Sequence, residues 1–140
     1  MKKFLGILLV LSMVMFAGCS SEKSEEPVVE EQSYIEGVGF DEIYRAYKEN
    51  ELRAKEIYQY NRYRITAKIN GMSTSGLFNL TGGATLTMEK KVGNTIVFFY
   101  AEFEKEQEEN LKSVNVGDTI TFEGKCLSAG SWTDCEIITE

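Results

Sequence analysis

The chain reads as a small, mainly β domain: a five-stranded barrel with an N-terminal helical extension and a helix between strands 3 and 4. Three observations predict this. Apolar residues recur with period two in the stretches that open at Arg62 and at Thr119. Short turn signals, Asn70-Gly71, Gly93-Asn94 and Gly117-Asp118, separate the extended stretches. Helical spacing appears in only two places, ahead of the first strand and between the third and fourth.

In order, Phe40, Ile43, Tyr44 and Tyr47 follow Asp41, a residue type that caps helices, and Ala54, Ile57 and Tyr58 continue the stripe after Asn50. The reading is one helix over 40–59, or two joined near Asn50. Tyr63, Ile65, Ala67 and Ile69 then alternate with Arg62, Arg64, Thr66 and Lys68, a strand with one buried face that Asn70-Gly71 is expected to end as a turn. A second strand is expected at Leu77 to Leu80, interrupted by Gly82-Gly83 and resuming at Leu86 and Met88. Thr95 to Ala101 is a strand apolar on both faces, and Glu102 to Val114 is a short charged helix. Thr119 to Cys126 alternates again, Ser128 to Ser131 is a loop, and Trp132 to Thr139 is the last strand. Five strands with a helix between the third and fourth is the order of the OB-fold, a small partly open barrel.

The first residues carry a different message. Lys2 and Lys3 precede an apolar run from Phe4 to Phe16, and Ala17-Gly18-Cys19 follows. A basic start, a short apolar core and small residues before a cleavage point make a secretory signal. The apolar run falls short of the roughly 20 residues that span a bilayer as a helix. Phe16-Ala17-Gly18-Cys19 resembles a bacterial lipobox with an aromatic in place of the usual leucine. The expected organisation is a lipoprotein signal peptide over 1–18, diacylation of Cys19, a disordered acidic tether over 19–38, and a folded domain over 39–140. The chain is then expected on the outer side of a cytoplasmic or outer membrane, held by lipid.

Without residues 1–18, thirteen basic and 22 acidic side chains remain, a net charge of −9. Such a chain repels phosphate backbones, whose affinity for proteins comes mostly from Lys and Arg, so a nucleic-acid partner is not expected. Histidine is absent, which removes the side chain best poised for proton transfer near neutral pH. Ser-His and Cys-His activation of a nucleophile are therefore closed to it. Only three aspartates occur, Asp41, Asp118 and Asp134. No phosphate loop, dinucleotide fingerprint or calcium loop is present. The expectation is a non-catalytic domain with no cofactor and no metal.

Cys126 and Cys135 are the other two cysteines. In an exported chain a pair reads as a disulfide. Ile120, Phe122 and Cys126 share one strand face, and Cys135 shares a face with Ile137. If the last two strands form a hairpin, the cysteines can face each other within bridging range.

Asn50-x3-Ala54-x3-Tyr58 before the first strand, Val116-Gly117-Asp118 entering a strand that ends Gly124-Lys125-Cys126, and Asp134-Cys135-x-Ile137 together resemble the tRNA-anti-like group of OB-fold proteins. The resemblance covers about residues 40 to 138. It implies a barrel with an N-terminal helical extension, in a group with many short bacterial lipoproteins; it does not imply an activity.

Binding is therefore the function class to examine, with a protein or cell-envelope component as ligand and single-stranded nucleic acid or an oligosaccharide as the alternative. OB-folds bind across strands 2 and 3. Strand 3 places Ile96, Phe98 and Tyr100 on one face and Val97 and Phe99 on the other. One face must fill the barrel. The other is either an aromatic stacking platform or the seat of the 40–59 helix. The second is the expectation here, because a helix without packing is unstable. The candidate ligand-face residues are Phe78, Phe98, Phe99, Tyr100 and Trp132, the last of them equally a core candidate.

Overall fold

The computed structural model describes residues 33–74 and 82–139. The signal peptide, Cys19, residues 19–32 of the tether, Phe78 and the expected strand at 77–80 lie outside these residues. Residues 33–38 are bound to the domain: Ile35 N–H donates to the Arg62 carbonyl at 2.9 Å, and the Arg64 guanidinium sits 4.1 Å from the Tyr34 ring centre. The end of the expected tether thus lies against the barrel.

Two helices come first, α1 at Phe40–Glu49 and α2 at Glu51–Tyr58. They break at Asn50, whose extended backbone (φ −158°) stops α1 while its side chain accepts from Arg53 N–H at 3.1 Å and caps α2. The N-cap of α1 is Gly39 rather than Asp41. Asp41 instead lies in the first turn beside Glu42, where negative charge meets the positive end of the helix dipole.

Five strands follow: β1 at Arg62–Ser73, β2 at Ala84–Val92, β3 at Thr95–Phe103, β4 at Thr119–Ser128 and β5 at Ser131–Ile137. A 3-10 turn at Lys105–Gln107 and helix α3 at Glu108–Lys112 connect β3 to β4. The strands close into a barrel in the order β1-β2-β3-β5-β4. β1 is long because it serves two neighbours, β4 from Arg62 to Lys68 and β2 from Lys68 to Ser73. It bends from one to the other at a register shift between Ile69 and Gly71. Asn70-Gly71 is therefore a bulge inside a strand, not the expected turn; an extra residue in one strand is how sheets acquire such a bend.

The core is the inward row of every strand: Tyr63, Ile65 and Ile69, then Leu86 and Met88, then Phe99 and Phe103, with Phe122 and Trp132. Helix α1 adds Phe40, stacked on Phe99 at 4.4 Å between ring centres and 6.2 Å from Trp132. It thus buries its apolar stripe in the barrel core and leaves the outside of β3 alone. The expectation that it seals that outer face is overturned. Among the described residues, no helix is long and apolar enough to cross a membrane.

The expected disulfide is not formed: Cys126 and Cys135 are free, buried thiols. The β4–β5 hairpin exists, but its register is interrupted twice, between Glu123 and Lys125 and between Cys126 and Ser128. Cys126 therefore faces Trp132, and Cys135 lies against Gly124, where an added Cβ would meet its Sγ at 2.8 Å. Diagonal positions of this kind are roughly 7–8 Å apart, beyond the reach of about 4.4–6.8 Å between Cα atoms that a disulfide tolerates.

Candidate binding face on the second and third strands

β3 presents two unlike sides. Val97, Phe99 and Ala101 point inward and are buried, while Ile96, Phe98 and Tyr100 point outward with 56%, 55% and 56% of their surface exposed. Strand geometry spaces these outward residues at roughly 6.6 Å. Three large apolar side chains in one row on a sheet are an exposed patch of the kind that marks an interaction site.

The register supplies their surroundings. Ile96 lies beside Lys91, Phe98 lies beside Glu89 and then Lys68, and Tyr100 lies beside Thr87 and then Gly71. Gly71 has no side chain, so β1 projects nothing over the sheet on that side of Thr87. Lys68 and Glu89 approach at 3.9 Å, and Lys90 Nζ donates to the Thr66 carbonyl at 2.8 Å. Lys68 and Lys91 thus stand on this face with Glu89 between them, against the acidic balance of the chain as a whole. Tyr100 N–H donates to the Gly130 carbonyl at 3.0 Å, which ties the row to the β4–β5 turn. Beyond Tyr100 on the same strand, burial pushes the Glu102 carboxyl above its usual range, opposed by a hydrogen bond with Thr133.

Of the candidate residues, Phe98 and Tyr100 are on the open face. Phe99 is not; it is fully buried against Phe40 and Phe122. Trp132 is also core, fully buried edge-on to Tyr63, with its Nε1–H donating to the Ala129 carbonyl at 3.4 Å. Ile96, Lys68 and Lys91 belong to the face and were not among the candidates. Alternation along β3 carries the signal for Ile96, but the two lysines reach it only through pairing that spacing does not show.

The three aspartates have local surroundings. Asp41 lies in the first turn of α1, Asp118 accepts from Asn115 N–H at 2.8 Å, and Asp134 pairs with Lys125 at 2.6 Å. Among the described residues, no group of three or more Cys, Asp or Glu is placed to hold a metal ion.

A closed five-stranded barrel in this order, with a helix after β3 and an open face on β2 and β3, defines the class as an OB-type fold. A solved structure agrees on the fold. A chain from Klebsiella pneumoniae subsp. pneumoniae, described as a candidate nucleic acid-binding lipoprotein, is similar over 70% of this chain and 87% of its own, with a TM-score of 0.54 and 12% identity. No protein-family model matches the chain, and no curated protein does.

Proposed function

We propose that this protein is a lipid-anchored, extracytoplasmic binding module of the tRNA-anti-like type, which holds a protein or cell-envelope ligand on the outer face of β2 and β3 without catalysing a reaction. The observation that carries the reading is the exposed row Ile96, Phe98 and Tyr100 on the strand pair that OB-folds use for binding. A row so apolar is costly to leave in water unless something covers it. The lipobox-like Phe16-Ala17-Gly18-Cys19 and the fold shared with a protein described as a lipoprotein support the anchor. The absence of histidine supports a non-catalytic role.

A second reading is single-stranded nucleic acid or an oligosaccharide, favoured by one observation. Phe98 and Tyr100 stand two residues apart on a face edged by Lys68 and Lys91. Stacking on aromatics beside cationic side chains is how single strands are held, and the Klebsiella pneumoniae chain of like fold is described as a candidate nucleic acid binder.

Titration of the full chain with envelope glycans, peptides and oligonucleotides separates these. Peptide binding abolished by Phe98→Ala and Tyr100→Ala supports the first reading, and glycan binding abolished by them supports the second. Oligonucleotide binding that weakens steeply with salt supports the second. Binding of any ligand that survives both substitutions removes the face from the site.

A further inference from the structure

β2 covers one edge of β3 along its whole length, from the Val92–Thr95 pair to the Ala84–Phe103 pair. On the other edge β5 meets it only at Tyr100 and Ala101. Across that second edge Tyr100 N–H donates to Gly130. Backbone groups alternate sides along a strand, so the N–H and C=O of Phe98 and of Ile96 point to the same edge as those of Tyr100. Among the described residues, nothing pairs with them there. The strand around them, Thr95 to Ala101, contains no charged residue, proline or glycine. Monomeric proteins guard such edges with lysine, proline or a bulge, and this edge has none of them.

We propose that this edge pairs with the same edge of a second copy, antiparallel, about a two-fold axis through Val97. The register follows from which groups are available. Tyr100 is already bonded to the β4–β5 turn, which leaves Ile96 and Phe98. A two-fold axis at Val97 sets the Ile96 of each copy opposite the Phe98 of the other. Each of these two pairs exchanges two N–H to O=C bonds, so the unpaired groups of both copies satisfy one another. The outward side chains of Ile96 and Phe98 meet across the new strand pair, as cross-strand neighbours do. The contact is self-complementary, so it closes at two copies. It joins two open faces into one continuous platform. The pairing is a backbone event and does not depend on which ligand the face holds.

Contact along one strand is small, so association is weak, and the net charge of −7 on each chain opposes it. Sedimentation of the full chain in detergent, over a range of protein and salt concentrations, should show a monomer–dimer equilibrium that salt strengthens. Ile96→Pro removes one outward N–H and leaves the pairing with β2 in place. Phe98→Lys sets like charges near the axis. Each should weaken association at least tenfold while circular dichroism and the melting transition show an intact barrel; if Ile96→Pro does not fold, Phe98→Lys decides. A chain that stays monomeric at every concentration and salt overturns the proposal. So does a dimer whose affinity is unchanged in both variants, and so does a monomer whose β3 edge takes up an unrelated extended peptide.

Discussion

The two sides of β3 are built from almost the same residue types and do opposite things. Val97, Phe99 and Ala101 are buried, Phe99 against the rings of Phe40 and Phe122, while Ile96, Phe98 and Tyr100 face outward. Hydrophobicity does not distinguish Phe98 from Phe99; what differs is whether another element arrives. Phe40 of α1 meets Phe99, and among the described residues no element covers Phe98, which is 55% exposed. The apolar character of an outward residue is therefore free to serve recognition, and that of an inward one is committed to stability.

Substitution on the two sides should break this symmetry most sharply at Phe99. Phe99→Ala removes a fully buried ring that packs on Phe40 and Phe122, and denaturant unfolding should show a loss of about 3–5 kcal/mol. Gly83→Ala, just ahead of β2, tests the packing against the far end of β3. A Cβ there would lie 2.1 Å from the Phe103 carbonyl oxygen, at a φ of +91° that disfavours side chains. A loss of about 3 kcal/mol is expected, because backbone atoms cannot yield as a side chain could.

Next in size is an effect of pH on the inward side alone. Burial pushes the Cys126 thiol up to about 11, and burial raises the Cys135 thiol as well. An ordinary thiol in the unfolded chain ionises near pH 8.5–9 while the folded one stays neutral, so the unfolded state loses its proton first. Stability should therefore be level below pH 8 and fall between pH 9 and 11, by up to about 1.4 kcal/mol per pH unit for Cys126. Cys126→Ala should flatten part of that fall in unfolding curves measured across this range. Adding a thiol reductant should leave the melting temperature unchanged, since both cysteines are already free; a drop would show that a disulfide forms in solution. The smallest effect on stability belongs to the outward side. Phe98→Ala should change the unfolding free energy by no more than about 0.5 kcal/mol, yet remove ligand binding.

The barrel was legible because its strands alternate cleanly where one face meets the core, as in Tyr63, Ile65, Ala67 and Ile69. The charged segment after β3 was legible in part: its helix is only Glu108–Lys112, and Glu102 and Phe103 belong to β3. Of the one-helix and two-helix readings of 40–59, the structure selects two helices that break at Asn50. What escaped was set by distant parts of the chain. Asn70-Gly71 has the composition of a turn, and only the need of β1 to pair with both β2 and β4 makes it a bulge. The open face was misjudged because the sequence shows that α1 has an apolar stripe but not where it is buried. Phe99 and Trp132 entered the candidate list as aromatics near the expected face, and side-chain direction, which depends on register, places both in the core. The cysteine pairing failed for the same reason.

That failure has a wider reach. β5 behaves like a message with a frameshift: Trp132 and Cys135, three positions apart, both point inward, because Asp134, at φ +50°, takes up the extra residue. The count of odd and even positions starts afresh there. Were the bulge straightened with no residue removed, Cys135 would turn to solvent and Glu136 into the barrel; deleting Thr133 would instead leave both where they are and make the alternation regular. A single bulged residue thus decides which side chains downstream of it are interior.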